Sequence, residues 1–280
     1  MDEIVVEVKH VNYVDRVYAS LGVLALRDAQ STTNCDLRLA EHRVFSQNGE
    51  DGVIDALVRI LNPPKFFVEF GVGDGWSCNT RLLAEVREWG GLYIECDGPD
   101  FAHLARRYRF SEKVACHHGA VTPDNVSDIF RSSGVPHRFG VLSIDIDGQD
   151  FYVWRALSDE FRPDIVVIEF NAEHDPNCQI VEVPSTEQGS APGRMWGASL
   201  QALTQLAAEK GYVLVHVEMT RVNAFFVSEE VLRPISGQIT GRTSPGAPNY
   251  GLRGRGLSER DAFPSSDRTE RQTMRIDSVS

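Results

Sequence analysis

The residues most suggestive of chemistry lie in "FFVEFGVGDGWSCNT", residues 66–80, where an apolar run ends in an acid and three glycines follow. Glu69 precedes Gly71, Gly73 and Gly75, so the glycines have the spacing GxGxG. A nicotinamide-binding turn has the spacing GxGxxG, but here Trp76 occupies the position of the last glycine. A Walker-type phosphate loop needs a lysine after its last glycine, and none follows. The stretch therefore predicts a backbone turn against a ligand without phosphate groups.

A second acid, Glu95, ends the run "GLYIE" twenty residues after Gly75. A carboxylate at the tip of a strand can accept hydrogen bonds from both hydroxyls of a ribose. Glu69, at the tip of the preceding strand, is suited to an ammonium group or, through water, to another cationic group. S-adenosylmethionine carries a ribose, an ammonium and a sulfonium, so the two acids together favour that cofactor.

Strands and helices that alternate along the chain would position these acids. From Phe66 onward, apolar runs of strand length alternate with helical patterns, which is typical of a parallel sheet covered by helices on both faces. The predicted strands are "FFVEF", "GLYIEC", "KVACHH", "GVLSIDI", "DIVVIEF", "YVLVHV" and "NAFFVS". The last two are separated by only a short turn, so they predict an antiparallel hairpin.

The segments before and after this region are interpreted as additions to one central domain. The runs "VDRVYASLGVLALRDAQ" and "EDGVIDALVRIL" predict helices, so residues 1–60 are interpreted as a helical cap. Residues 61–232 are interpreted as the cofactor-binding domain. Residues 233–280 are rich in Gly, Ser, Pro and Arg, which predicts a flexible tail.

Charge and cysteine content limit the partners and the compartment. A formal net charge of −12 opposes binding of a nucleic-acid backbone. The five cysteines are scattered without a CxxC pair, which favours reduced thiols and a cytoplasmic location. No run of about 18 apolar residues predicts a membrane span. We therefore expect neither a nucleic acid nor a membrane as partner, and homo-oligomerisation stays open.

The glycine turn and its acids resemble the class I S-adenosylmethionine-dependent methyltransferases, whose first motif has the form E/D-x-G-x-G-x-G. The resemblance covers residues 66–228 and implies a Rossmann-like α/β fold with a seven-stranded, mostly parallel sheet and a C-terminal antiparallel hairpin. The segments "FSQNGEDG", "SIDIDGQDFYVW" and "VNAFFV" look more narrowly like FkbM-like methyltransferases. That resemblance implies that Gln47 contacts the cofactor and that Ala120 contacts its adenine, while a helix N-terminal turn is the alternative for Gln47.

A second polar cluster follows two later strands. The period of two sends Asp145 and Asp147 to one side, and Glu169 shares a face with Asn171. These oxygen ligands suit Mg²⁺ or Mn²⁺, and the cluster resembles the metal site of catechol-type O-methyltransferases. The adjacent Asp-Asn pair of those enzymes is replaced here by Glu169-Phe170-Asn171. The alternative is that Asp145 contacts the cofactor or substrate directly while Glu169 pairs with an arginine.

Together these features predict an O-methyltransferase that acts on a hydroxyl of a small molecule such as a sugar or a secondary metabolite. Asp145 would take part in catalysis, and His174 would be the general base, with an ordinary loop histidine as the alternative. An N- or carboxyl-methyltransferase and a noncatalytic cofactor-fold binding protein remain alternatives. A dehydrogenase is disfavoured by Trp76.

Overall fold

The computed structural model describes residues 35–146, 148–175, 177–182, 197–240 and 273–275. The strands are β1 (Cys35–Asp36), β2 (Phe66–Phe70), β3 (Gly90–Glu95), β4 (Val114–His118), β5 (Arg138–Ile144), β6 (Arg162–Glu169), β7 (Ile180–Glu182), β8 (Tyr212–Val217), β9 (Asn223–Ser228), β10 (Ile239–Thr240) and β11 (Thr273–Arg275). The α-helices are α1 (Glu50–Leu61), α2 (Arg81–Glu85), α3 (Gly98–Tyr108), α4 (Val126–Ser132), α5 (Asp150–Ala156), α6 (Leu200–Lys210) and α7 (Glu229–Leu232). Two 3₁₀ helices span Leu37–Leu39 and Arg233–Gln238.

Seven strands form one sheet in the order β4-β3-β2-β5-β6-β9-β8. The pairs on either side of β2 and the pair β5–β6 are parallel, and β9 runs antiparallel to both of its neighbours. All seven predicted strands form this sheet, and the last two form the predicted hairpin. The predicted Rossmann-like architecture is therefore confirmed.

The two faces of the sheet bury separate sets of apolar side chains, because alternate residues of each strand point to opposite faces. Val68 and Phe70 of β2 pack in a core with α4, α5 and α6. Phe67, from the same strand, packs in the other core with α1, α2 and α3. Both faces are thus covered by helices, as a largely parallel sheet requires.

The helix ends follow local sequence signals. Ser199 caps the start of α6, where its hydroxyl accepts a hydrogen bond from the Ala202 backbone N–H at 3.1 Å. Gly211 ends the same helix with a left-handed φ of 80°. The predicted helix "EDGVIDALVRIL" is α1, whereas "VDRVYASLGVLALRDAQ" lies outside the described residues.

Two further strand pairs lie outside the main sheet. β1 pairs with β10 in parallel, and β7 pairs with β11 antiparallel. Regular structure therefore continues past residue 232 to Thr240 and recurs at Thr273–Arg275. In the described part of the chain, no helix has the length and apolar character needed to cross a membrane.

The order in which strands are added to the sheet reverses at β2. From this strand it continues to β3 and β4 on one side, whereas β5 and β6 lie on the other side. In open α/β sheets, ligands bind outside the carboxyl ends of the strands where the order reverses. The segments that follow β2 and β5 are therefore the expected position of a ligand site.

Candidate functional site

The glycine turn after β2 is the backbone turn that its sequence predicts, and its glycines adopt left-handed conformations. Gly71, Gly73 and Gly75 have φ values of 77°, 55° and 78°. At Gly71 the turn passes directly against the next strand, because an added Cβ would lie 1.5 Å from the Asp145 carbonyl oxygen. Only glycine fits there, since any side chain would collide with backbone.

Glu69 holds the far end of the turn. Its carboxylate accepts hydrogen bonds from the backbone N–H groups of Asn79 at 2.8 Å and Thr80 at 2.9 Å. The Thr80 hydroxyl donates a third bond at 2.5 Å. Burial raises the pKa of Glu69, and these bonds oppose the rise because they favour the charged form. Glu69 therefore supplies the negative charge at the N-terminal end of α2.

Glu95 holds the middle of the turn. Its two oxygens accept hydrogen bonds from the backbone N–H groups of Gly73 and Asp97, each at 2.7 Å. The residue is 6% exposed. Since each carboxylate oxygen has two lone pairs, each retains one further acceptor position. The predicted ribose contact is compatible with this geometry and stays a prediction.

Trp76 stabilises the outer side of the turn. The Arg107 guanidinium lies 3.9 Å from the centroid of its ring, and that of Arg81 lies 4.9 Å away. Arg81 also donates a 2.9 Å hydrogen bond to the Trp76 carbonyl. Cations placed over an indole face are attracted to its ring. The packing of this turn therefore favours a tryptophan at position 76, where the last glycine of a nicotinamide-binding turn would lie.

The segment "SQNGED" forms the N-terminal turn of α1. Asp51 is buried, and its carboxylate accepts hydrogen bonds from three backbone N–H groups and from the Ser46 hydroxyl. Glu50 is also buried and accepts hydrogen bonds from the backbone and side-chain amides of Asn48 at 2.8 and 3.0 Å. The turn is consequently fixed by two adjacent carboxylates. The segment lies at the start of the helix, and Gln47 is exposed there, so the cofactor contact predicted for Gln47 stays a prediction.

A cavity of about 330 Å³ lies between this turn and the glycine turn, outside the ends of β2 and β5. It is lined by Gln47, Asn48, Glu50, Glu69, Gly71, Val72, Gly73, Asp74, Ser77, Cys78, Asn79, Asp100, Asp145, Val222 and Asn223. Five of these residues carry a carboxylate, and none of the described lining residues is Lys, Arg or His. The cavity thus favours a ligand with positive charge and opposes an anionic one.

The structure brings most of the predicted cofactor residues together. Gln47, Glu69, Gly71, Gly73 and Asp145 line the cavity. Gly75 and Glu95 are not among the described lining residues, but Glu95 bonds to the Gly73 N–H of the turn. Ala120 is exposed in the segment after β4, is not a lining residue, and has its carbonyl bonded to Asn125 Nδ2 at 2.9 Å. The adenine contact predicted for Ala120 stays a prediction.

The predicted metal ligands are not assembled in the same way. Asp145 lines the cavity, but Glu169 and Asn171 do not, and Asp147 lies outside the described residues. The Asn171 side-chain oxygen accepts a 2.8 Å hydrogen bond from the Glu173 N–H. Within the described ranges, no group of three or more His, Cys, Asp or Glu side chains could hold a metal ion. The described residues therefore give no support for a metal ion, and the predicted ligand set, which includes Asp147, stays a prediction.

His174 follows β6 but does not line the cavity. It is 6% exposed, and its backbone N–H donates to the Asn171 carbonyl at 3.3 Å. In this structure, its side chain is therefore buried away from the cavity wall. Its predicted role as general base stays a prediction.

Sequence reasoning predicted five of the described residues of the cavity wall and missed the others. The missed residues include Glu50, Asp74, Asp100 and Asn223. Asp74 lies inside the glycine motif, and Glu50 lies inside "SQNGED", so both belong to motifs that the sequence already placed near the ligand. Asn223 begins β9 and reaches Glu50 with a 3.0 Å hydrogen bond across 173 positions of sequence, for which no local pattern gives a signal.

Comparison with known proteins gives matches only among solved structures. No protein-family model matches this sequence, and no curated protein matches it. The structure of the CurJ carbon methyltransferase matches with 8% identity and a TM-score of 0.40, over 68% of this chain and 56% of that chain. The CMeT domain of the citrinin polyketide synthase matches with 10% identity and a TM-score of 0.40, over 66% and 54% of the two chains.

A protein from Galdieria sulphuraria, provisionally assigned as a sarcosine dimethylglycine methyltransferase, gives a similar match. It has 10% identity and a TM-score of 0.39, over 59% of this chain and 62% of that chain. This chain covers less than two thirds of each of these three chains. Similarity at these TM-scores assigns no function, which therefore rests on the site itself.

Proposed function

We propose that this protein is an S-adenosylmethionine-dependent methyltransferase. The observation that carries the proposal is the cavity at the switch point of the sheet, whose described wall has a glycine turn and five carboxylates but no basic side chain. S-adenosylmethionine bears two positive groups, the ammonium and the sulfonium, so its charge matches this wall. Its ribose would reach Glu95, and its cationic groups would lie near Glu69 and Asp145.

The N-terminal end of α2 opposes a dinucleotide. In nicotinamide-binding sites the pyrophosphate accepts hydrogen bonds at the N-terminus of the helix after the glycine turn. Here the Glu69 carboxylate already accepts those bonds from Asn79 and Thr80. A pyrophosphate would have to displace a buried carboxylate of the same charge, which makes a dehydrogenase the weaker interpretation.

We further propose O-methylation of a small hydroxylated molecule. In that reaction an acceptor oxygen attacks the methyl carbon in line with the sulfur, the carbon–sulfur bond breaks, and S-adenosylhomocysteine leaves. The hydroxyl proton must pass to a base as the new carbon–oxygen bond forms. Asp145 is our first choice for this base because it lines the cavity, and His174 is the second. We assign no step to a metal ion.

The acidic surface supports a small molecule as acceptor over a nucleic acid. The formal net charge is −12, and the lining residues that the structure describes include no basic side chain that could hold a phosphate. The described cysteines form no disulfide with one another. Reduced thiols fit a reducing compartment, so we propose a cytoplasmic location.

Isothermal titration calorimetry of the chelator-treated protein tests the cofactor assignment. We expect S-adenosylmethionine and S-adenosylhomocysteine to bind, and NADH to give no heat above dilution. A repeat with Mg²⁺ would show whether a divalent ion contributes to affinity. Binding of NADH, or silence of S-adenosylmethionine in both conditions, would contradict the proposed function.

Replacing Glu95 with Ala is expected to weaken S-adenosylmethionine binding by about 10- to 150-fold, which corresponds to about 1.5 to 3 kcal/mol for hydrogen bonds to a charged acceptor. The loss has two sources, because Glu95 would accept from the ribose and also holds the Gly73 N–H in place. Calorimetry gives the affinity, and thermal denaturation checks the fold.

The conservative variant separates the two sources. Glu95→Gln keeps one acceptor oxygen and should show a smaller loss than Glu95→Ala. Equal affinities for wild type and Glu95→Ala would remove Glu95 from the cofactor site.

A further inference from the structure

Asn223 lines the cavity and has a buried side-chain oxygen that accepts no hydrogen bond from the described residues. It begins β9, the antiparallel strand of the sheet, and pairs in register with Glu169 of β6. The residue is 3% exposed and lines the cavity. Its Oδ1 has no hydrogen-bond partner among the described residues. A buried acceptor without a donor is costly, so a ligand that supplies the donor gains affinity.

Glu50 determines which atom of the Asn223 amide is left unused. The Asn223 Nδ2 group donates to Glu50 Oε1 at 3.0 Å. An ionised carboxylate can only accept hydrogen bonds, so the amide nitrogen must face Glu50 and the amide oxygen must face away. Glu50 is itself held by Asn48 through bonds of 2.8 and 3.0 Å. Hydrogen bonds within the cavity wall therefore fix the orientation of the Asn223 amide.

The strand order places Asn223 away from the predicted ribose contact. Along the edge of the sheet the order is β3, β2, β5, β6 and β9. Glu95 ends β3 and Asn223 begins β9, so four strand spacings of about 4.8 Å separate them. A cofactor whose ribose lies at Glu95 and whose methionine part lies at Glu69 occupies the β3–β2 side. The β9 side remains for the methyl acceptor.

We propose that Asn223, oriented by Glu50, determines acceptor specificity by accepting a hydrogen bond from an O–H or N–H group of the methyl acceptor. The proposal rests on the proposed function and deepens it. Glu50, Glu69 and Asp145 line the same space, and no described lining residue is basic, so the acceptor carries neutral or cationic donor groups there. A carboxylate, phosphate or sulfate at this position is excluded by charge repulsion.

The test uses three hexoses that differ in charge but share a ring: glucosamine, glucose and glucuronate. Each is added at millimolar concentration to the full-length protein saturated with S-adenosylhomocysteine, and binding is measured by saturation-transfer difference NMR. We expect glucosamine and glucose to bind and glucuronate not to bind. The S-adenosylhomocysteine affinity, measured by calorimetry, separately tests the proposed function.

Two variants assign the effect to Asn223 and to its orientation. Asn223→Ala should weaken glucosamine binding by about tenfold, because it removes the acceptor atom. Glu50→Gln should have a similar effect with Asn223 present, because the new amide can donate to Asn223 Oδ1 and occupy it. Gln205→Ala is the matched control, since this exposed amide on α6 donates to Glu209 at 3.0 Å and is not among the described residues of the cavity wall.

The results separate the two levels of the proposal. If S-adenosylhomocysteine binds but glucuronate binds as well as glucosamine, or no hexose binds, the specificity proposal is overturned while the cofactor assignment stands. Unchanged hexose binding in Asn223→Ala, with its fold confirmed by thermal denaturation, would also overturn it. Loss of hexose binding in both wall variants but not in the control is the supporting result.

Discussion

Replacing Gly71 with Ala is expected to abolish S-adenosylmethionine binding and to lower the free energy of unfolding by about 3 to 5 kcal/mol. The added Cβ would lie 1.5 Å from the Asp145 carbonyl oxygen, so β2 and β5 could not both keep their positions. The left-handed φ of 77° adds backbone strain for any residue with a Cβ. Thermal denaturation and calorimetry measure the two effects.

Gly73→Ala is the matched control within the same turn. Its φ of 55° is also left-handed, but the nearest atom to an added Cβ is Asp100 Oδ2 at 3.9 Å. The expected cost is therefore the backbone strain alone, about 1 to 2 kcal/mol. If both variants lost the same stability, the close approach of Gly71 to Asp145 would not be the reason that glycine is needed.

Replacing Asp51 with Ala is expected to lower the free energy of unfolding by about 3 to 5 kcal/mol, because several buried donors lose their acceptor. These donors are the backbone N–H groups of Val44, Phe45 and Ser46 and the Ser46 hydroxyl. Chemical denaturation measures the loss. Asp128→Ala is the control, since its exposed ion pair with Arg131 should contribute no more than about 1 kcal/mol.

The effect of Asp51→Ala should also depend on pH. Burial raises the pKa of Asp51 from 3.8 to about 6, although its four donors favour the charged form. Because the folded pKa lies above the unfolded one, the stabilising contribution is full below the unfolded pKa and is lost as the pH rises through the folded pKa. The loss in the variant should thus be larger near pH 4.5 than near pH 7, by about 2 kcal/mol. A smaller loss at the lower pH would contradict the raised pKa.

Local patterns in the sequence predict the fold well because each strand carries its own signal. The run "FFVEF" is short, apolar and bounded by a turn, so it could be recognised as a buried strand without its neighbours. The three glycines require positive φ values, and the structure has them. The acids Glu69 and Glu95 could likewise be placed at strand tips from the lengths of their runs.

The wall of the cavity could be predicted only in part, because its contacts join distant segments. Glu69 was expected to face a ligand, but most of its hydrogen bonds go to Asn79 and Thr80. Glu50 orients the amide of Asn223, and no sequence motif at either residue predicts this contact. Residues at the ends of β5 and β6 were expected to converge on a metal; of the described ones, Asp145 lines the cavity, whereas Glu169 and Asn171 do not.

The contacts between the N-terminal segment and the β8–β9 hairpin have a consequence for protein synthesis. Glu41 accepts hydrogen bonds from His216 and from the Met219 N–H, and Glu50 accepts one from Asn223, across 173 to 178 positions. At about 5 to 20 residues per second, a ribosome needs roughly 9 to 35 s to add that length of chain. During this interval Glu41 lacks its bonds from His216 and Met219, and Glu50 lacks its bond from Asn223, so the nascent chain cannot complete the cavity. Ligand binding should accordingly become possible only when β9 has left the ribosome, late in translation.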